Sequence, residues 1–436
     1  MMKKMYIIII SIFLLCIGIT KLYTAANPIG DIKHSQNEEN KTKIRIGLNL
    51  APQDRKNLIY QDIINNYNKE HNNVVLETNY VPGNDYFSRL KVDFASGNEA
   101  DIFITCPGKT TNKFAEKGQI VDLKSELDKD RDWYNSFNKG VWKYVTNNDK
   151  IVGVPIMTAY AAFFANTDVL EKANAEVPKT YEQLKKLIPI LKKQDIVPIA
   201  FDMSDDGLLM YSYIAALMGG RHIQDNISDF SVPNEYYARS AECVKELYSL
   251  GAFSQDLFSV TKKQCDEMFL SKKAAFIIRY SDFLENIDRE RDFETVSVNT
   301  FPVMEDSLSL DKAILYGVGS DALFISSKNW GNEKMREKLI SVVKYFTSQE
   351  NAYYITENLG SISAVKIRTA ATKTKNMIYQ RNCDFVAGAN QIIEFSSSYI
   401  DSDVLRHIGD KFPLFLEGKM NINDVWEYSY RYVNGN

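Results

Sequence analysis

The sequence predicts an α/β protein with mainly parallel strand pairing and more than one lobe. Three observations support this fold class: a length of 436 residues, strand and helix patterns that alternate along most of the chain, and an ordinary globular composition of 45% hydrophobic and 25% charged residues. A chain of this length exceeds what one small hydrophobic core usually organises, which favours two lobes or domains. Alternating strands and helices are typical of a parallel sheet covered by helices.

The predicted elements begin with a strand, a helix and a second strand. Lys43–Leu50 alternates apolar and polar residues with a period of two, which is a strand pattern. Apolar residues recur at helical spacing over Leu58–Tyr67, and Asp54 precedes them as a candidate N-cap. Val74–Tyr80 is predicted to be the second strand, and Tyr86–Ala95 the helix that follows it.

Later segments continue the alternation of strands and helices. Asp101–Thr105 is predicted to be a short buried strand, and Ala274–Ile278 another. Thr180 and Gln183 form a capping box that begins a helix, because each side chain can satisfy a backbone N–H of the other residue. Apolar residues at helical spacing over 339–346 predict a further amphipathic helix.

The N-terminus has the pattern of an export signal followed by a tether. Residues 1–26 combine a basic start, an apolar run and a candidate cleavage point after Ala26. The apolar run is shorter than the ~20 residues that a membrane span needs. Residues 27–43 are polar and are predicted to be a flexible tether. We expect an exported protein, located on the outer face of the cytoplasmic membrane or in the extracellular or periplasmic space. Lipidation at Cys16, signal cleavage and a retained anchor all stay open.

The charge balance and the cysteines exclude two classes of protein. Lys and Arg total 52 against 56 Asp and Glu, a formal net charge of −4, which argues against a nucleic-acid binder because such proteins depend on a basic surface. The cysteines after the signal are too widely spaced for a small disulfide-stapled scaffold, so isolated, mostly buried thiols are expected. They are Cys106, Cys243, Cys265 and Cys383.

Residue patterns for metal or nucleophilic catalysis are missing from the sequence. The four histidines are far apart and form no His-x-x-x-His spacing. Residues 317–322 resemble a dinucleotide-binding glycine motif, but 322–326 is predicted to be a strand, whereas such a motif must begin a helix. No cofactor and no metal are therefore expected. Paired carboxylates such as Asp205 and Asp206 leave one enzymatic alternative open, a secreted carboxylate-dependent glycoside hydrolase.

Seven segments carry a family resemblance through their order along the chain. They are Tyr86–Phe103 (YFSRLKVDFASGNEADIF), Lys117–Leu123 (KGQIVDL), Asp149–Leu170 (DKIVGVPIMTAYAAFFANTDVL), Glu176–Leu184 (EVPKTYEQL), Phe269–Phe276 (FLSKKAAF), Val343–Gln349 (VKYFTSQ) and Leu359–Val365 (LGSISAV). In this order they resemble the motifs of extracellular solute-binding proteins that serve carbohydrate ABC importers. The sequence departs from the family pattern at Ala100, where proline is common, and at Ser271, where glycine is common.

This resemblance implies a bilobed periplasmic-binding-protein-like fold of type II, in which two α/β lobes are joined by a three-segment hinge and close around a ligand. Laid beside the family, residues 44–158 with 320–362 would form lobe 1, and residues 161–317 with 366–436 would form lobe 2. The three chain crossings would lie near Thr158–Ala161, Gly317–Ser320 and Ser361–Val365.

The resemblance also implies a non-enzymatic monomer that captures a sugar or an oligosaccharide and delivers it to the permease subunits of an ABC transporter. A sugar requires hydrogen-bonding partners for its hydroxyls and aromatic rings for its C–H faces. The candidate ligand-binding residues are Asn49, Tyr86, Thr105, Lys109, Tyr160, Asp202, Tyr211, Arg279, Tyr280, Asp282 and Gly317. For each tyrosine, a packed position in the core is the alternative.

The charged residues among these candidates leave ligands other than a sugar as alternatives. Lys109 and Arg279 would favour an anionic ligand such as a glycerol-phosphate ester. Asp202 with Asp282 would favour a cationic ligand such as a polyamine. A peptide is a further alternative, and the sequence does not decide among these solutes.

Overall fold

The structure, a computed structural model, describes most of the chain from residue 41 onward. The described residues are 41–52, 54–81, 85–138, 140–203, 207–225, 231–286, 293–302, 304, 314–367, 377–387, 389 and 391–435. The predicted export signal, most of the tether and the carboxylate pair Asp205 and Asp206 lie outside them. In the described part of the chain, no helix has the length and apolar character needed to cross a membrane.

Strands and helices alternate over residues 42–116 as predicted, whereas three helices follow one another over 109–135 and four strands over 146–166. The first half contains β1 (Thr42–Leu48), α1 (Arg55–Glu70), β2 (Val74–Tyr80), α2 (Asp85–Ser96), β3 (Ile102–Thr105), α3 (Lys109–Glu116), α4 (Lys124–Lys129), α5 (Arg131–Asn135), β4 (Thr146–Asn147), β5 (Lys150–Ile151), β6 (Val154–Pro155), β7 (Met157–Asn166), α6 (Thr167–Lys172), α7 (Tyr181–Lys192), β8 (Val197–Ala200) and α8 (Gly207–Gly219). The second half contains α9 (Glu235–Ser249), α10 (Lys262–Leu270), β9 (Ala274–Tyr280), β10 (Val296–Asn299), β11 (Ile314–Gly319), β12 (Ala322–Ile325), α11 (Glu333–Phe346), α12 (Gln349–Leu359), β13 (Ile362–Ser363), α13 (Met377–Ala387), β14 (Gln391–Ile393), α14 (Ser402–Leu416) and α15 (Ile422–Asn434). Short 3₁₀ helices, including Ser281–Asn286 and Ser396–Ser398, lie between them.

The two predicted N-caps, Thr180 of α7 and Asp54 of α1, differ in their hydrogen bonds. The capping box of α7 is confirmed, because Thr180 Oγ1 accepts from the Gln183 backbone N–H at 3.2 Å and Gln183 Oε1 accepts from the Thr180 N–H at 3.3 Å. Asp54 occupies the N-cap position of α1, but its carboxylate accepts from the N–H of Ala51 instead of from the helix. The prediction for Asp54 is therefore right in position and wrong in bonding.

The first sheet has five strands in the order β2-β1-β3-β12-β6. β1 pairs in parallel with β2 and β3, while β12 runs antiparallel to both β3 and β6. The carboxyl ends of β1, β3 and β6 and the amino end of β12 therefore lie at one edge of this sheet. Loops at such an edge are where α/β proteins commonly bind ligands.

The second sheet has seven strands, with the path β14-β11-β7-β9-β8 and with β10 and β13 also paired to β7. β8 is parallel to β9, and β11 is parallel to β14. β7 is antiparallel to β9, β10, β11 and β13. The prediction of mainly parallel pairing is therefore wrong for this sheet. The reason is that β7 carries the chain into the sheet while β11 carries it back out.

Three chain crossings between the sheets lie side by side. In the pairing of β7 with β11, Tyr160 lies opposite Gly317. In the pairing of β7 with β13, Thr158 lies opposite Ile362. Backbone pairing thus ties the three segments together between the lobes. The lobe limits given by residue number above stay a prediction.

Each sheet has its own hydrophobic core. In the first, the rings of Phe103 and Phe324 stack with centroids 5.3 Å apart. In the second, the rings of Phe163 and Phe276 stack at 4.6 Å. The thiols are free as expected: Cys243 and Cys265 are buried, Cys383 is half-buried and Cys106 is exposed.

Gly317 leaves no room for a side chain at the crossings. A Cβ atom added there would lie 2.6 Å from the carbonyl oxygen of Ala159 and 3.0 Å from the Cβ of Tyr160. We expect Gly317→Ala to lower the free energy of unfolding by about 1–3 kcal/mol, because paired backbone would have to move apart. Urea denaturation measures this change.

Gly331→Ala is the matched control, because no atom lies within 4 Å of a Cβ added at that position. Its free energy of unfolding should change by less than about 0.5 kcal/mol. Equal effects of the two substitutions would show that the crossing is not tightly packed at Gly317.

Candidate ligand-binding site

Residues at the strand ends of both sheets face one another across a cleft. Asn49 follows β1 and Thr105 ends β3, and the Asn49 N–H donates to the carbonyl of Ile104 at 3.4 Å. From the second sheet, Tyr280 ends β9 and Asp282 lies in the 3₁₀ helix that follows. The two lobes thus present polar and aromatic side chains to the same space.

These side chains line a cavity of about 200 Å³ between the lobes. The first lobe contributes Asn49, Lys56, Thr105 and Cys106, and the second lobe contributes Tyr280, Asp282, Phe395 and Ser397. Ala159, Ser320 and Asp321, at the chain crossings, also line it. The Thr105 hydroxyl is buried and has no hydrogen-bonding partner among the described residues, which makes it a candidate donor or acceptor at the cavity wall.

An aromatic pair separates this cavity from a second one. The rings of Tyr280 and Phe395 meet edge to face, with centroids 5.0 Å apart. Both residues, together with Ser397, also line a cavity of about 340 Å³ that extends between α8 and α14. Its polar lining includes Ser212 and Arg406. The candidate site therefore has two adjoining compartments.

The charged side chains of the first cavity are a lysine and two aspartates. Lys56 Nζ lies 3.4 Å from Asp321 Oδ2 and 3.8 Å from Asp282 Oδ2. Asp321 Oδ2 also accepts from the Tyr60 hydroxyl at 2.6 Å. The Asp282 side chain is 45% exposed, against 11% for Asp321, so Asp282 is the carboxylate available to a ligand. Lys56 is balanced by one of the carboxylates, which leaves the cavity with a net negative charge.

Cys106 brings a thiol into the cavity. Desolvation raises its pKa to about 12, with a further increase from the Asp321 carboxylate that Lys56 partly offsets. The group is therefore a neutral thiol near pH 7, and the site has no thiolate nucleophile at this position. Within the described residues, no group of three or more His, Cys, Asp or Glu side chains is placed to hold a metal ion.

Two of the predicted tyrosines are core residues of the second lobe. Tyr160 is 1% exposed, its hydroxyl donates to Asn382 Oδ1 at 2.5 Å, and its ring stacks on Phe385. Tyr211 is also 1% exposed and its hydroxyl accepts from Trp426 Nε1 at 3.0 Å. Burial raises the pKa of both phenols. Neither ring reaches the cavities, so the core alternative applies to both.

The predicted charged pair of the second lobe is also buried away from the cavities. Arg279 lies 2.7 Å from Asp202 Oδ2 and 2.7 Å from Asp266 Oδ1, and its side chain is only 3% exposed. A guanidinium already paired with two carboxylates is not available to an anionic ligand. Asp202, 1% exposed and paired with Arg279, is likewise not available to a cation.

The remaining candidates do not line either compartment of the candidate site. Tyr86 is buried in the first core and faces a separate cavity beside β2. Lys109 is the first residue of α3 and is half-buried, and it is not among the residues that line the two compartments. Gly317 is buried in β11, opposite Tyr160. Of the predicted set, the cavity brings together Asn49, Thr105, Tyr280 and Asp282.

The sequence analysis did not identify several residues that line the cavity. Some of them could have been found from their positions next to predicted strand ends, where α/β proteins commonly bind ligands. Lys56 lies in the first turn of α1, the helix after β1, and Asp321 directly precedes β12. Phe395 and Ser397 follow β14, a strand too short to show periodicity. Asp321, Phe395 and Ser397 lie beside the start or end of a strand, which is the position that predicts ligand contact in such folds.

Comparison with known proteins identifies the fold and the family. The family described as bacterial extracellular solute-binding protein matches residues 52–353. A structure from work on xylan utilisation by Caldanaerobius polysaccharolyticus has a TM-score of 0.77 at 20% identity, covering 90% of this chain and 100% of that chain. A chitin oligosaccharide binding protein has a TM-score of 0.78 at 17% identity, covering 91% of this chain and 99% of that chain. A maltose-bound protein of T. maritima has a TM-score of 0.72 at 16% identity, covering 90% of this chain and 99% of that chain. No curated protein matches the sequence.

These structural likenesses confirm the predicted bilobed fold of type II periplasmic binding proteins. At identities of 20% and below, they support the fold and leave the ligand of this chain open. The family match covers well over half of the sequence, including β3 and β12 of the first sheet. The chain therefore belongs to the bacterial extracellular solute-binding proteins.

Proposed function

We propose that this protein captures a neutral sugar or oligosaccharide outside the cytoplasm and delivers it to the permease of an ABC transporter. The observation that carries the proposal is the interlobe cavity, in which Tyr280 and Phe395 lie beside Asn49, Asp282 and Ser397. Relatives of the same fold are named for chitin oligosaccharide and maltose, which supports this class of ligand. Members of the family are binding proteins and not enzymes, so the hydrolase alternative is set aside.

The arrangement of side chains fits the two kinds of surface that a sugar presents. Aromatic rings pack against the C–H faces of a pyranose, and Tyr280 and Phe395 supply such rings. Carboxylate, amide and hydroxyl groups pair with sugar hydroxyls, and Asp282, Asn49 and Ser397 supply those. The second compartment beyond the aromatic pair gives room for further sugar units.

The charge of the site favours a neutral ligand over an anionic one. Lys56 already faces Asp282 and Asp321, and Arg279 is buried between two other carboxylates. A phosphate or carboxylate ligand would therefore meet net negative charge in the first cavity. A polyamine would require several unpaired carboxylates in a row, whereas Asp282 is the one substantially exposed carboxylate lining the first cavity and Asp410 in the second compartment lies 4.0 Å from Arg406.

Family membership implies an exported protein, which agrees with the signal predicted over residues 1–26. We propose that the mature chain acts as a monomer at the outer face of the cytoplasmic membrane or in the extracellular or periplasmic space. Delivery to permease subunits follows from the same family role. Closing of the two lobes would hold the sugar until transfer.

A thermal-shift screen tests the ligand class. A cognate neutral oligosaccharide at 100 times its Kd should stabilise the protein by about 2.7 kcal/mol. A matched uronic acid or glycerol-phosphate ester at the same concentration should give a smaller shift in Tm, because it adds a negative charge beside Asp282. Stronger stabilisation by the anionic ligands would contradict the proposed class.

Tyr280→Ala tests the aromatic wall of the cavity. Loss of ring packing should weaken sugar binding by roughly 1–3 kcal/mol, about a ten- to hundredfold rise in Kd measured by calorimetric titration. The Tm of the ligand-free protein should change little, because Tyr280 is only half-buried. Tyr280→Phe keeps the ring and should retain most of the affinity.

Tyr160→Ala is the matched contrast, since that tyrosine is packed in the core. It should lower the free energy of unfolding by about 3–5 kcal/mol. A large loss of affinity without loss of stability in Tyr160→Ala would place its ring in the site after all.

Cys106 provides a chemical probe of the same cavity. N-ethylmaleimide should modify the exposed Cys106 faster than the buried Cys243 and Cys265. Saturating sugar should slow the reaction at Cys106, and mass spectrometry of the modified peptide measures the rate. Cys243 and Cys265 are buried and report any unfolding. An unchanged rate at Cys106 with bound sugar would place the ligand elsewhere.

A further inference from the structure

Polar contacts join the two lobes beside the cavity, at the start of α14. Lys113 of α3 forms an ion pair with Asp401, the N-cap residue of α14. Lys91 of α2 forms a second ion pair with Asp403 in the first turn of α14. Thr110 of α3 and Ser402 of α14 also meet at this point. We call this set of contacts the interlobe latch, and its residues are Lys91, Thr110, Lys113, Asp401, Ser402 and Asp403.

Two close approaches accompany the ion pairs. The hydroxyl oxygens of Thr110 and Ser402 are 2.7 Å apart and share a hydrogen bond between the lobes. Gly108, which precedes α3, approaches Ser397 so closely that an added Cβ would lie 2.6 Å from the Ser397 carbonyl oxygen. The lobes are therefore in direct contact along this edge of the cleft.

Asp401 is held in place from both sides. One carboxylate oxygen accepts from the backbone N–H of Asp403 at 2.9 Å, and the other accepts from Lys113. The Asp401 side chain is 13% exposed. Burial alone would raise its pKa, but hydrogen bonds from Lys113 and the Asp403 backbone, with the charges of Lys113 and Lys91, lower it below the ordinary value. The carboxylate is thus ionised and already oriented toward the first lobe.

The helix that carries the latch also lines the second compartment. Ser402, Leu405 and Arg406 of α14 face that cavity, and Ser402 is itself part of the latch. The position of α14 against the first lobe therefore sets the shape of the cavity as well as the separation of the lobes.

We propose that Lys91, Lys113, Asp401 and Asp403 are positioning residues that set ligand affinity from outside the ligand cavity. Their ion pairs favour the conformation in which the lobes touch, and the apparent Kd falls as that conformation becomes more populated. The effect on affinity rests on the proposed function, whereas the effect on lobe separation does not. Because the lysine side chains are 42% and 50% exposed, the latch should weaken with salt.

Small-angle X-ray scattering of the ligand-free protein tests the latch without any ligand. The radius of gyration should be larger at about 1 M than at about 0.02 M NaCl, because salt screens the ion pairs. The double variant Asp401→Asn with Lys113→Met should give the larger radius already at low salt, with a weaker dependence on salt. Asn is a good N-cap, so α14 keeps its start.

Asp424→Asn is the matched control. Asp424 lies in the first turn of α15, is exposed, and accepts from Asn421 within the same lobe. It should show the radius and the salt dependence of the unmodified protein. If the double variant also matches the unmodified protein in both quantities, the latch is overturned.

Calorimetric titration with the sugar found by thermal shift tests the effect on affinity. Asp401→Asn and Lys113→Met should each raise Kd by about two- to fivefold, as expected for loss of an ion pair whose lysine is half exposed. The Kd of the double variant should not exceed the higher Kd of the two single variants, because each substitution removes the same ion pair. Additive losses, or unchanged Kd, would overturn the positioning role. Failure of every sugar to bind would refute the proposed function instead, and the scattering result would still decide the latch.

Discussion

Backbone pairing at β7 is the constraint on which the rest of the structure depends. The start of this strand is bonded to β11 and β13, and its remainder pairs with β9 and β10 in the second sheet. Because the three crossings are tied to one another, the lobes are linked by a narrow band rather than by a single flexible chain. The cavity lies directly beside that band, and Ala159, Ser320 and Asp321 belong to both.

The positions of Tyr160 and Tyr280 show how backbone pairing at β7 determines which side chains enter the core and which line the cavity. Tyr160 lies opposite the crossing glycine, where its side chain turns into the core against α13. Tyr280 ends the neighbouring strand, opposite Ala161, and lines the cavity. A shift of one residue along paired strands therefore decides whether a tyrosine packs in the core or lines the cavity.

Much of the fold could be predicted from local patterns, because periodicity and capping are properties of short segments. The strand β2 and the capped helix α7 were predictable in this way. Antiparallel pairing in the second sheet was not, since it depends on where residues such as Gly317 meet a strand far away in sequence. Strand-end positions indicated Asn49, Thr105, Tyr280 and Asp282, which line the interlobe cavity and stay predicted ligand contacts. Burial of Tyr211 and Arg279 depended on α15 and α10, whose packing no local pattern reveals.

The discontinuous path of the chain has a consequence for biosynthesis. β12 lies between β3 and β6 in the first sheet, although more than half of the sequence separates it from β1. The core of the second lobe is likewise incomplete without α14 and α15, which contribute Phe412 and Trp426 to it. Neither lobe can bury its full core until nearly all of the chain has left the ribosome, so folding of the amino-terminal part ahead of the rest is disfavoured. A chain with this topology lacks part of each core for most of its synthesis, and a chain that has not yet packed is one that a narrow secretion channel can thread.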